Sequence, residues 1–550
     1  MLLASLALCI WLPALVGFGS LARVEGGPLR RAGIAGFVGL AMLAALAVAL
    51  NLVLPLSPLL SATAVLGGWV LFLRARRMLL LDVRPRHFAF GVGLLVTLAA
   101  LTQLPARHYD SGLYFLQSVR WAQEHAQPAG LASLHQRLGY NSSWFALAAM
   151  VEAPGLVGKS SFFLNGLPVL FAAFLAADAI GRLRAGERTA STYYFALATF
   201  AAAYGADTLG SVYPDQPVAV LTVLSLGFWV RALEEPRELG SSVIVGALLA
   251  VFAFTAKVST LPLLVGWGLF VALRWRALDP RLRKAAVAGI AVTLLPWAAR
   301  GVICSGCVLF PATWSCLPWL SWATPKAMVA ESALVIRAWA RWPDVPSEQA
   351  MRGWTWFPGW LRQTLHNPHV AIPVAGAMVG TAAMRTRLLR PSPIRAPLLV
   401  TLAAVVFWFL TAPSPRFGVA YLLPAAMLPI SAWAAERAPA LPNWARRAAL
   451  VVAIAAAAAY LQWSVRPLRK LRPDTVALAS WPQFPKPDLT RRVTSRGTEI
   501  RVPVGTDQCW DSEPPCSPGY ASDLRWDGTG FEARSGPMER EPKALLPPRE

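Results

Sequence analysis

Long apolar runs without one charged side chain recur along this 550-residue chain, and they constrain its fold more than any other feature. Residues 34–54 and 88–101 contain no Asp, Glu, Lys or Arg. A helix rises about 1.5 Å per residue, so about 20 such residues cross a hydrocarbon core of about 30 Å. Inside lipid no water satisfies the backbone, and helices are the simplest segments that satisfy themselves. Only 15% of residues are charged and 56% are apolar, whereas a water-soluble chain carries about 25% charge. This rules out a disordered chain and argues against an ordinary cytosolic enzyme. Fourteen spans are predicted, at about 2–20, 32–54, 57–73, 88–104, 161–181, 192–209, 214–231, 241–256, 258–274, 285–299, 370–384, 395–411, 417–434 and 447–463. The expected fold is an all-α polytopic membrane protein, a bundle of about 13–14 transmembrane helices. It divides into an N-terminal transmembrane extension (1–87), a transmembrane core (88–463) and a C-terminal tail (464–550).

The distribution of the net charge of +22 sets the expected topology. Seven connections, 21–31, 74–87, 182–188, 231–240, 274–284, 385–395 and 437–447, hold 25 of the 51 Lys and Arg residues. All seven share one side if 141–156 does not cross, and the positive-inside rule makes that side cytoplasmic. Segment 141–156 carries Ser142, Ser143, Glu152 and Pro154 and is too short and polar to span. It reads as a helix along the outer surface, with Trp144, Phe145, Leu147 and Ala148 toward lipid. Were it a span, every later loop would change sides. The outer side receives 105–160, 300–369 and the tail, which has 14 basic against 12 acidic residues. The basic excess therefore calls for membrane lipids as partners and for no nucleic acid. The first 22 residues lack a basic stretch before their apolar run and read as a first span. The tail is Pro-rich, with short strands expected near 493–504 and disorder from about 533 to 550.

Of six cysteines, Cys9 lies in a span as inert packing. Cys509 and Cys516 close a short Pro-containing run on the oxidising side, where a disulfide is expected. Cys304, Cys307 and Cys316 fit either a metal or redox site or a disulfide of Cys316 with one of the other two. No fourth zinc-type ligand lies near them in the sequence, and no metal cluster is evident.

Ionisable groups at membrane depth need compensation and so mark candidate sites. With this topology, His108, Asp110, Arg137, Asp207, Asp215, Lys257, Arg300 and Arg416 all fall at the outer ends of spans. Both signs of charge at one depth suit a surface site for an anionic lipid head group. Snorkelling and helix capping account for any one of them singly. Residues 111–125 read as a helix with Gln117, Arg120 and Glu124 on one stripe. Asp110 stands at its N-cap position and Asp215 at the head of a span, so each is either a cap or a reactive carboxylate.

Several of these pieces carry a family resemblance. They are Asp-Ser-Gly-Leu-Tyr at 110–114, the run 128–142, Pro-Asp at 214–215, Lys-Val-Ser at 257–259, 305–311, Ala-Pro-Ser-Pro-Arg-Phe-Gly at 412–418 and 509–516. With its long first outer loop, the chain resembles the GT-C superfamily of integral-membrane glycosyltransferases and, more closely, a poorly characterised family of bacterial multispanning membrane proteins. It departs in having Ser111 after Asp110 where many relatives have Glu, Phe115 where a His is expected, and a tail of under 90 residues. The resemblance implies a GT-C-like bundle in a bacterial inner membrane with its active face extracytoplasmic. It implies transfer of a sugar from a polyprenyl-phosphate-linked donor to a lipid or glycan acceptor in the envelope. Asp110 would then be general base, Asp215 a second carboxylate, and Lys257, Arg300 and Arg416 phosphate ligands. His108, Arg137 and Asn141 complete the implied substrate contacts. Some superfamily members use a divalent metal and others none. The competing classes are a flippase or transporter of lipid-linked saccharides and a non-catalytic envelope-assembly subunit.

Overall fold

The computed structural model describes residues 2–540 apart from 23, 103–107, 153–158, 344, 389–391, 438–439, 441, 466–479 and 535–537. Among the described residues, each of the fourteen predicted spans but one has a single α-helix as its main part. Among the described residues, nine helices are long and apolar enough to cross a membrane, and Pro85–Leu101, Pro368–Met384 and Arg395–Thr411 are shorter apolar helices. The protein is a multi-pass helical membrane protein. Helices Pro28–Asn51, Pro58–Leu79, Pro85–Leu101 and Pro280–Ser305 open on proline. Its missing N–H costs nothing there, because the first four donors of a helix have no internal partner. The predicted span 192–209 is instead broken into Ala190–Leu197 and Thr199–Ala203, and Gly205 at φ +68° ends it.

Helix Asp215–Glu234 lies at the centre, packed on Leu239–Ala256 and Pro415–Arg437. Helix Pro28–Asn51 packs on Leu2–Gly19, Gly166–Arg184 and Pro280–Ser305. The helix within 141–156, Ser143–Val151, is too short to span, but it does not lie along the surface. All nine of its residues are buried. The expected lipid-facing side, Trp144, Phe145, Leu147 and Ala148, is enclosed by neighbouring helices. Its polar groups are answered inside: Ser142 Oγ donates to Ala256 O (2.7 Å), Ser143 Oγ bonds Thr255 Oγ1 (2.9 Å) and Trp144 Nε1 donates to Asn165 Oδ1 (3.0 Å). Apolar residues on every side mark a buried helix.

The connections sort to two ends. At one, Arg30 and Arg231 share Glu238, Arg182 lies 3.9 Å from Glu235, and Arg31 donates to Leu81 O. Four of the seven predicted basic connections thus converge. At the other end lie His108, Asp110, Arg137, Lys257, Arg416 and the tail.

The tail is not helical. Leu489–Val493 pairs antiparallel with Glu499–Pro503, near the predicted strands. Arg525–Trp526 pairs with Phe531–Glu532. Met538–Arg540 pairs with Gly519–Ala521, so the stretch expected to be disordered from 533 is paired at 538–540, and 541–550 lie outside the described residues. Phe531 N–H donates to Ala129 O (2.7 Å) and Ser517 Oγ to Leu134 O (3.1 Å), docking the tail on the first long loop.

Opposite ends imply opposite labelling. In a Cys9→Ser background, Arg281→Cys and Arg491→Cys should react with an impermeant maleimide from different sides of the membrane. Reaction of both in intact cells would contradict the two-ended arrangement.

Candidate functional site

Asp110 leads into a π-helical turn, Ser111–Phe115, that runs into helix Leu116–Glu124. Such turns are rare and concentrate at functional positions. The Asp110 side chain makes no cap bond. Its Oδ1 accepts from Arg137 Nη1 (3.1 Å) and its Oδ2 from Arg416 Nη1 (3.0 Å). Arg416 Nη1 also lies 3.0 Å from His108 Nε2, so that nitrogen is the acceptor of a neutral ring. His108 stacks on Tyr213 (4.2 Å) and Phe115 (5.4 Å). Asp215, first residue of its helix, pairs with Lys257 at the end of Leu239–Ala256. Phe417 joins the two pairs: Lys257 Nζ lies 3.9 Å and the Arg416 guanidinium 4.8 Å from its ring centroid. Trp339, on helix Lys326–Arg341, covers Arg416 from the other side at 4.6 Å.

Burial alone would raise the Asp110 carboxyl, but Arg416, His108 and Arg137 outweigh it and hold it below the ordinary carboxylate range. Burial pushes His108 down to about 4 against the pull of Asp110. It pushes Lys257 down to about 8, opposed by Asp215. At neutral pH the cluster therefore holds three cations, two carboxylates and a neutral imidazole. One positive charge is in excess, which favours an anionic ligand.

His108, Asp110, Arg137, Asp215, Lys257 and Arg416 are thus brought together as the sequence suggested. Arg300 and Asn141 are not in the cluster. Arg300 Nη1 donates to Asn141 Oδ1 (2.8 Å) and Nε to Asn51 Oδ1 (3.2 Å). Asn141, at φ +49°, is fixed by Trp297 through two bonds of 2.8 and 2.7 Å. The side chain of Asp207 lies outside the described residues. Tyr213 and Phe417 were missed although each adjoins a singled-out residue, and nothing local marks Trp339. Among the described residues no group of three His, Cys, Asp or Glu could hold a metal ion.

The tail grips this segment directly. Cys509 and Cys516 are bonded, as expected, and their loop presents Trp510 at φ +50°. Trp510 lies on Gly112, where a Cβ would come within 2.6 Å of the ring, so no larger residue fits unless the ring moves. Trp510 N–H donates to Gly112 O (2.8 Å), and Gln117 Nε2 donates to Trp510 O (3.1 Å) and Ser512 O (2.8 Å). Arg120 reaches Asp511 O, Tyr109 reaches Asp507, and Lys159 pairs with Asp511 (2.8 Å). The stripe of Gln117 and Arg120 is the tail's docking face. Of the other cysteines, Cys307 bonds Cys316, Cys304 is free and buried, and Cys9 is exposed on its helix rather than packed inside.

Fold and site together define a multi-pass helical membrane protein with a buried, cation-rich cluster at one end of its bundle. Residues 1–423, more than half of the chain, match the family described as Domain of unknown function (DUF8201), and the chain belongs to that family. No curated protein and no solved structure matches it.

The depressed His108 fixes a pH dependence. As pH falls from about 6.5 to about 4, the unfolded chain takes up a proton that the folded ring refuses, so stability is lost over that window. Melting temperature in detergent should fall across it, and His108→Gln should flatten the fall. An unchanged slope would show that His108 does not titrate in this way.

Proposed function

We propose that the protein is a membrane glycosyltransferase of GT-C type. It moves a sugar from a polyprenyl-phosphate-linked donor to a lipid or glycan acceptor at the extracytoplasmic face of a bacterial inner membrane. The observation that supports this most is Asp110, held between Arg137 and Arg416 with Lys257 beside them. A leaving phosphate needs what these cations supply, and a guanidinium offers a two-pronged contact that an ammonium lacks.

Asp110 is a weak base while both guanidiniums hold it. A donor phosphate competes for the same N–H groups. Each guanidinium that turns to phosphate releases Asp110, whose proton affinity rises as the acceptor hydroxyl needs a base. The acceptor oxygen then bonds the anomeric carbon, its proton passes to Asp110, and the bond from that carbon to the phosphate oxygen breaks. The electron pair leaves on the phosphate, opposite Arg416 and Lys257. Asp215 keeps Lys257 in place and adds negative charge near an oxocarbenium-like transition state.

Asp110→Asn keeps the shape but removes the base. Sugar transfer from a polyprenyl-phosphate-linked donor, in membranes with equal protein, should drop about 10²–10⁴-fold. Arg416→Lys keeps the charge and loses the fork, and should weaken donor use more than it lowers protein level. Wild-type transfer by Asp110→Asn would overturn the role of Asp110.

A further inference from the structure

Helix Phe357–Leu365 presents three different sides. Phe357, Trp360 and Thr364 turn toward the protein. Thr364 is buried, and the Trp360 ring centroid lies 6.1 Å from that of Trp408 and 5.5 Å from that of Phe409. Leu361 and Leu365 form a second side and are 38% and 50% exposed. Arg362 and Gln363 are exposed on the third. The turn ahead of the helix extends the apolar side. Trp354 is 63% exposed there, stacked on Trp356 (5.7 Å) and on Phe409 (6.2 Å). Between residues 351 and 366 the charged side chains are Arg352 and Arg362, both exposed, and the stretch holds no acid.

Two observations say what covers the apolar side. The first is continuity with the spans. Only His366 and Asn367 separate this helix from the one that begins at Pro368. Helix Arg395–Thr411 exposes Leu399, Leu402, Val406 and Leu410 along one line, as a helix does toward lipid. That line ends beside Phe409, on which Trp354 and Trp360 rest. The second is charge. Exposed Trp and Leu flanked by Arg make up a helix that lies in a membrane interface, where guanidiniums meet lipid phosphates.

The same helix bears on the cluster. Trp360 Nε1 donates to Pro413 O (2.6 Å), three residues before Arg416. Helix Lys326–Arg341 is tied to the turn as well, because the Arg341 guanidinium lies 5.3 Å from the Trp356 ring centroid. That helix also carries Trp339 over Arg416.

We propose that Trp354, Leu361 and Leu365 seat this segment in the leaflet at this end of the bundle, with Arg352 and Arg362 on the head groups of anionic phospholipids. The helix then lies along the membrane surface and sets Arg416 at head-group depth. The surface position expected of 141–156 falls instead to 357–365. This contact does not depend on the reaction proposed above.

The test is depth measurement on the full chain in lipid nanodiscs. Leu361→Cys, Leu365→Cys and Gln363→Cys, each in a Cys9→Ser background, are spin-labelled one at a time; the remaining free thiol, Cys304, is buried. Power saturation compares collisions with oxygen, which concentrates in lipid, and with a water-soluble nickel chelate. Labels at 361 and 365 should favour oxygen several-fold more than the label at 363. Equal ratios at the three sites would overturn the proposal. So would low access to both reagents at 361 and 365, the result expected if a second copy or another protein covers them. Phosphatidylglycerol in place of phosphatidylcholine should raise the oxygen preference at 361, and Arg352→Gln with Arg362→Gln should remove that rise. No rise, or one that survives both substitutions, would overturn the anionic head-group contact. Sugar transfer enters none of these readouts, so the two proposals fail separately.

Discussion

A carboxylate shared by two guanidiniums at the end of an apolar bundle is the interaction around which this protein is arranged. Asp110 is 6% exposed. An ion that deep persists only where opposite charge meets it with good geometry, and removing one partner from such a group costs about 3–5 kcal/mol. Arg137 comes from the first long loop and Arg416 from the head of a helix more than 300 residues away in the chain. Their meeting on one carboxylate ties first loop to last helices. The pair of Asp215 and Lys257 repeats the solution beside it, and Phe417 lies against both cations.

The rest of the architecture supports that point. The buried Ser143–Val151 helix sits behind the loop that carries Arg137, and its serines close on residues 255 and 256, next to Lys257. The tail holds the other flank: Trp510 covers Gly112, two residues after Asp110. The disulfide-closed loop thus bears on that short turn, and the contacts at Ala129 and Leu134 hold the tail to the same long loop further on.

Much of this was legible in the sequence because membrane depth is a harsh filter. Long uncharged runs read as spans, four of the seven basic connections meet at one end, and charges at span ends stand out against apolar neighbours. Six of the eight candidate residues picked out on that ground meet in one cluster. Arg300 has the same depth but stands apart from the cluster and turns to Asn51, a partner that no local pattern reveals. The filter misled at 143–151, because an apolar segment too short to span reads the same at an interface as inside a bundle, and only the neighbours decide. Trp339 reaches Arg416, and Trp510 reaches the turn after Asp110, through tertiary contacts from distant segments. The break at Ala198 and the turn at Tyr204 and Gly205 fall within an apolar run that gives no local sign of the first of them.

The coupling between Asp110 and Arg416 tests the account most directly, through a double-mutant cycle on unfolding free energy with Asp110→Asn, Arg416→Gln and the pair. Residues in one buried ion-pair network couple by about 0.5–3 kcal/mol, whereas independent sites add within about 0.5 kcal/mol. The account predicts coupling above about 1 kcal/mol, with the double variant more stable than the sum of the single losses allows. Additive losses would show that the carboxylate and the guanidinium do not depend on each other, and the arrangement described here would be wrong at its centre.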